Sequence, residues 1–384
     1  MTELMGNQKV YKKGNSLLEI RGNNKSSHKV LQRIRSVYKG VQGLIENDPL
    51  SKALDDLLIE PNSTEREPQF ILRDHVVDEI DRLKDDELNR YLRYRYMYDV
   101  YPINKIISEY PPLVQIEPTS ICNYRCIFCY QIDPRLTNKK NSHMGIMDLQ
   151  LFKSLVDELE GKVEAISLAS RGEPTINKML PEMLNYLEGK FLAVKVNTNA
   201  SLLDETISRA ILDADIQTLV FSADAAVEPL YSQLRVGGSL DKITQNIERF
   251  HKLKHKHYSD SRLITRVSGV YYQDEQKIED MDAYWKDIVD QVAFVDYNPW
   301  ENVYDADVNG IIKPCSDLWR RLFVWWDGRV NPCDVDYLST LSDERFPDRS
   351  ITEIWRGETF ESLRKNHLKS KRQELKPCAG CALV

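Results

Sequence analysis

Between residues 113 and 297 short β-branched runs alternate with amphipathic helical stretches, and this rhythm restricts the architecture more than any single motif. The strand-like runs are residues 113–117, 163–169, 192–196, 218–223, 263–271 and 292–297. Stretches of helical period, at 148–161, 179–189, 204–214, 240–254 and 277–290, lie between them. A helix between successive strands predicts a parallel sheet covered by helices. Six units in a row predict an α/β fold, a partial (β/α)6 TIM-like barrel. In such a fold the functional loops follow the C-terminal ends of the strands.

The flanking segments read differently. Residues 1–27 are polar and predict a flexible tail. Residues 28–110 carry apolar residues at helical spacing and predict a helical N-terminal extension. The barrel takes residues 111–300, and residues 301–384 form a small C-terminal domain. A net charge of −7 argues against a nucleic-acid surface, which needs a basic stripe. No apolar run approaches the roughly 18 residues of a membrane span. The first twenty residues lack the apolar core of a signal peptide. The expectation is a cytoplasmic protein with reduced thiols.

The seven cysteines fall into two groups. Cys122, Cys126 and Cys129 lie in CNYRCIFC, directly after the first barrel strand. Cys315, Cys333, Cys378 and Cys381 lie in the C-terminal domain. Three thiolates in one loop suit three irons of a four-iron cluster and leave the fourth iron open. An open position is what lets a metal site do chemistry. Zinc is the competing metal for such a triad, but it prefers four ligands. The second group supplies four, which suits either zinc or a fully ligated cluster.

With its Cys-x3-Cys-x-aromatic-Cys pattern at Cys122, Cys126, Phe128 and Cys129, the chain resembles the radical S-adenosylmethionine (SAM) superfamily. Further segments follow the strands in the family's order. Gly172, Glu173 and Pro174 after the second strand resemble the Gly-Glu-Pro motif, with Arg171 where a second glycine is usual. Asn197 and Asn199 after the third resemble the segment that meets the ribose and carboxylate of SAM. Ser222 and Asp224 end the fourth, and Arg266 lies on the fifth, in place to pair with the SAM carboxylate. The resemblance implies SAM and a [4Fe-4S] cluster with three Cys ligands as cofactors. It also implies a 5′-deoxyadenosyl radical that takes hydrogen from an unactivated carbon.

The C-terminal group resembles a twitch domain, a shortened SPASM domain, which implies an auxiliary [4Fe-4S] cluster with four Cys ligands. All seven cysteines are then used, so no spare thiol can return a hydrogen atom to a substrate radical. Oxidation is the simpler outcome, with the auxiliary cluster accepting the electron, as in the aminocyclitol dehydrogenases and sulfatase-maturing enzymes this architecture resembles. A general base is expected after the sixth strand, with Asp296 and Glu301 first among Tyr304, Asp305 and Asp307. Arg171 and Arg235 are candidates to face an anionic group of the substrate.

The expected substrate is a small polyol, amino sugar or nucleotide-linked sugar. The expected reductant is a flavodoxin- or ferredoxin-type donor. An epimerase or peptide maturase is the alternative within the resemblance, and a non-catalytic zinc or iron–sulfur protein is the alternative outside it.

Overall fold

The computed structural model describes residues 27–39, 48–58 and 69–384, with the backbone of three strands before them. Those strands, β1 (Thr2–Met5), β2 (Gln8–Tyr11) and β3 (Leu17–Gly22), fall where the sequence suggests a tail. The extension carries α1 (Ser27–Tyr38), α2 (Pro49–Leu57), α3 (Asp74–Asp81) and α4 (Leu88–Asn104).

The barrel strands are β4 (Leu113–Ile116), β6 (Ala165–Leu168), β7 (Ala193–Thr198), β8 (Thr218–Ser222), β10 (Ile264–Tyr271) and β11 (Gln291–Asp296). They pair in parallel in that order. Two short strands, β5 (Arg125–Cys126) and β9 (Arg235–Val236), pair apart from them. Between the strands run α5 (Pro134–Thr137), α6 (Leu149–Leu159), α7 (Leu180–Leu187), α8 (Glu205–Asp213), α9 (Glu228–Leu234), α10 (Leu240–His257) and α11 (Ile278–Trp285). The C-terminal domain adds β12 (Arg321–Val324), β13 (Val330–Asn331), α12 (Ile351–Trp355) and α13 (Glu358–Leu368). Strand β12 joins the barrel sheet in parallel beside β4, and β3 closes the far edge antiparallel to β11.

Alternation along the strands sorts two environments. Val114, Ile116, Ile166, Leu168, Val194, Val196, Leu219 and Phe221 join the core that packs against the helices. Their neighbours Gln115, Ser167, Lys195, Asn197 and Arg266 line an interior cavity instead. The barrel lumen therefore carries polar and charged side chains beside Leu113, Ile166 and Val220, which is unlike a barrel filled by aliphatic layers. A second core joins the N-terminal helices to the first turns of the strands, through Leu113, Ala165 and Ala193. His75, Glu79, Tyr94, Arg95, Tyr98 and Asp99 from α3 and α4 contribute to the cavity lining. The extension thus forms the floor of the barrel, a placement that no local sequence signal reveals.

Candidate active site

The CNYRCIFC loop leaves β4 at its C-terminal end, and Cys126 pairs with Arg235 across the β5–β9 ribbon. The Tyr124 amide donates to Cys122 Sγ at 3.4 Å and Arg235 Nη1 to Cys126 Sγ at 3.8 Å. Such donors to ligand sulfurs tune a bound cluster. Burial pushes the Cys122 thiol up to about 12, and burial likewise raises Cys126 and Cys129. The Cys129 thiol also feels Cys126 and Cys122, so the three form one electrostatic group. Among the described residues no three His, Cys, Asp or Glu side chains form a group suited to one metal ion. Thiolates buried this deeply need a cation beside them, which a cluster provides.

The Gly-Glu-Pro segment lies against this loop. A Cβ on Gly172 would sit 2.3 Å from Thr119 O and 2.5 Å from Ile121 O, so only glycine fits. The Glu173 amide donates to Ile121 O at 2.9 Å. Its carboxylate is buried and fully engaged by the chain itself. It accepts from Thr175 Oγ1 (2.6 Å), Thr198 Oγ1 (2.7 Å) and the Asn199 amide (2.6 Å). Burial raises its pKa, while these donors work the other way. Pro174 opens the short helical turn that follows.

Asn199 Nδ2 donates to Asn123 Oδ1 at 3.0 Å, fastening the segment after β7 to the cysteine loop. Asn197 and Ser170 line the cavity, and Asn197 Oδ1 and Ser170 Oγ have no hydrogen-bond partner among the described residues. Buried acceptors and hydroxyls left open in this cavity fit a polar cofactor of the kind the motifs imply.

Several of the expected site residues have partners within the chain. Asp224 is buried, accepts from the Val270 amide at 2.6 Å and forms an ion pair with Arg235. Ser222 ends β8 in register with Ser268. Arg171 does not face an anion from outside. Its guanidinium grips Glu117 with two prongs, at 2.7 and 2.6 Å, both side chains being fully buried. Arg235 is likewise occupied by Asp224. Arg266 stands mid-strand in register with Val220 and Gln291, donating to Gln291 Oε1 at 2.8 Å. It belongs to the lower lumen together with Glu79 and Arg95 from the floor.

Asp296 and Glu301 are not among the cavity-lining residues, although Val295 and Trp300 of the same segment are. Glu301 accepts from the Tyr297 hydroxyl, and Trp300 Nε1 donates to Phe128 O at 2.7 Å. Phe128 packs on Tyr272 at 5.8 Å, and Tyr272 on Tyr297 at 4.7 Å. These contacts brace the cysteine loop. The acid from the C-terminal domain that lines the cavity is Asp334, next to Cys333 in sequence. Neither Asp334 nor Lys195 stands out locally in the sequence.

In the C-terminal domain Arg372 donates to Cys378 O (3.3 Å) and Cys381 O (2.8 Å). The Cys378 thiol is raised by burial and then by Cys381 and Cys315, so these three sense one another. Between the two cysteine groups lies a tyrosine cluster. Tyr130 stacks on Tyr337 at 5.2 Å, and Tyr304 meets Tyr337 edge-on at 4.9 Å. Cys129, Cys333 and Cys381 all pack in this cluster. Among the described residues no helix is long and apolar enough to cross a membrane.

In comparison with known proteins, residues 116–283 match the radical SAM superfamily and residues 315–382 match SPASM, an iron–sulfur cluster-binding domain. A tungsten-containing aldehyde ferredoxin oxidoreductase cofactor-modifying protein from Pyrococcus furiosus is 26% identical over 320 residues, covering 70% of this chain and 86% of that protein. An Fe-coproporphyrin III synthase from Methanosarcina barkeri is 29% identical over 119 residues, 30% of this chain and 28% of its own length. The mycofactocin maturase MftC of Mycolicibacterium smegmatis is 21% identical over 235 residues, 60% of this chain and 56% of its own. The chain thus spans less than two thirds of the synthase and of the maturase. Among solved structures, Streptococcus suis SuiB bound to precursor peptide SuiA superposes with a TM-score of 0.53 at 12% identity, covering 91% of this chain and 83% of SuiB. BtrN in complex with AdoMet and 2-DOIA gives 0.50 at 16%, covering 72% and 94%. At these identities the structural likeness is one of fold.

Proposed function

We propose, from the premise that this chain is a radical SAM enzyme carrying a SPASM domain, that it dehydrogenates a small polar substrate of the polyol, amino-sugar or nucleotide-linked-sugar class. The observation that carries this reading is the polar, floored lumen. Its cavity of ≈ 480 Å³ is lined by Gln115, Ser167, Lys195 and Asn197 and is floored by α3 and α4. A floored chamber that presents several polar side chains suits a hydroxylated small molecule better than an extended peptide.

The residues divide the work as follows. Cys122, Cys126 and Cys129 hold the first cluster, and Cys315, Cys333, Cys378 and Cys381 hold the auxiliary one. Bound together, SAM and the first cluster supply a 5′-deoxyadenosyl radical as the hydrogen-atom abstractor. Ser170, Asn197 and Ser222 orient SAM. Glu173 and Asn199 act as positioning residues that hold its two loops together. Asp334 is better placed than Asp296 or Glu301 to take the substrate proton, because it lines the cavity beside Cys333. Its adjacency to Cys333 in sequence supports a proton acceptor close to the electron acceptor. A flavodoxin- or ferredoxin-type protein supplies the electron.

Anaerobic, reconstituted enzyme incubated separately with candidate sugars and peptides tests the reading. One 5′-deoxyadenosine and one oxidised product per turnover are expected with a sugar. Turnover of peptides alone, or deuterium uptake from heavy water without oxidation, would establish the maturase or epimerase instead.

A further inference from the structure

Four cations project into the lower lumen from different parts of the fold: Arg95 from α4, Lys195 from β7, Arg266 from β10 and Arg321 from β12. Three carboxylates share the lining, Glu79, Asp99 and Asp334. Two of these are engaged within the floor. Asp99 pairs with Arg95 at 2.9 Å, and Glu79 accepts the Tyr91 hydroxyl. Asp334 attracts both Lys195 and Arg321, and Arg321 is also bound to Asp317 at 3.1 Å. The positive excess is concentrated at Lys195 and Arg266.

Arg266 Nη2 is buried without a hydrogen-bond partner, and the half-buried Lys195 lines the cavity with it. Ser167 Oγ, on a side chain 1% exposed, and Gln217 Nε2 line the same cavity in the same condition. Nature rarely leaves so many buried donors open in one place unless a ligand uses them. The register brings them together: Lys195 is level with Ser167 and Thr218, and Arg266 with Val220 next door.

We propose that this set is an anion cradle, in which Lys195, Arg266 and Ser167 bind a phosphoryl group of the substrate. The inference rests on the small-substrate reading above and narrows it to a phosphorylated or nucleotide-linked member. A carboxylate needs one two-pronged partner, whereas donors on three strands surround a tetrahedral oxyanion. Mutual repulsion with Arg321 and Arg266, added to burial, lowers the Lys195 ammonium to about 8, and a dianion would relieve that repulsion.

The test uses the reconstituted holoenzyme without reductant, so that it reads binding and not turnover. Inorganic phosphate is measured by equilibrium dialysis against wild type, Lys195→Met, Arg266→Met and Lys195→Arg, with acetate as the carboxylate control. Iron content and circular dichroism verify that each variant is folded. Saturable phosphate binding that weakens at least tenfold in either Met variant and is retained in Lys195→Arg is the expected result. If wild type binds no phosphate, binds acetate equally well, or both folded Met variants bind as wild type does, the cradle is wrong. Should one variant fail to fold, the other decides. Phosphate binding combined with turnover of peptides alone would sink the small-sugar reading and leave the cradle. Turnover of neutral sugars without phosphate binding would do the reverse.

Discussion

The backbone amide of Asn199 donates a 2.6 Å hydrogen bond to Glu173 Oε2, so the loop after β7 is tied to the loop after β6 by a buried carboxylate. Thr198 and Thr175 bind the other oxygen. Glu173→Ala would strand these donors at roughly 1–3 kcal/mol each. We expect a loss of several kcal/mol, read as a lower thermal midpoint, and SAM cleavage lost with it. Glu173→Gln, which turns an acceptor into a donor, should be destabilising despite its identical shape.

The buried Arg171–Glu117 pair carries a prediction about stability. Removing one member of a fully buried pair leaves an uncompensated charge, at about 3–5 kcal/mol. Glu117→Gln should therefore be severely destabilising in chemical denaturation. Glu117→Leu combined with Arg171→Met should recover a large part of that loss. A substrate-binding arginine would give the opposite pattern, with stability kept and KM raised.

The clusters can be counted. With [4Fe-4S] clusters at both cysteine groups, wild type should hold about eight irons per chain. Cys126→Ser and Cys378→Ser should each reduce this toward about four, and only Cys126→Ser should abolish SAM cleavage outright. Zinc in place of iron at the C-terminal group would show directly in metal analysis.

His251 on α10 provides a pH-dependent signal far from either cysteine group. Burial, aided by Lys254 and His255 and opposed by Asp290, lowers its pKa to about 4. The unfolded chain takes up the proton near 6.5, the folded chain only near 4. Stability is therefore complete above about 6.5 and declines as pH falls toward 4. His251→Gln should lessen the fall of the thermal midpoint across that window, leaving the share owed to His75 and His367.

The period of the sequence carried the barrel almost whole, because each strand buries one β-branched face under its own helices. LAVKV and TLVFSA are strands for reasons visible in five or six residues. The site was legible where chemistry is local, as in the cysteine loop or the close approach at Gly172. It was illegible where chemistry depends on register. Lys195 reads as one lysine in an apolar strand, and only parallel pairing sets it beside Ser167 and near Arg266. Arg171 and Arg235 advertise positive charge, and their buried partners Glu117 and Asp224 come from other strands. Asp334 was hidden by its neighbour Cys333, since its place in the cavity depends on how the C-terminal domain docks. The floor made by α3 and α4 likewise follows from long-range packing.

Because β12 pairs in parallel with β4, in the register Arg321 to Leu113 and Val324 to Ile116, the strand that precedes the cysteine loop is zipped on one side to the C-terminal domain. The boundary near residue 300 is accordingly no place to cut. A fragment ending there would bare the backbone edge of β4 and invite other chains to pair with it. Chimeras that exchange the terminal domain between relatives would have to carry β12 across in matching alignment. Inheritance of the two halves would be coupled for the same reason, through main-chain bonds.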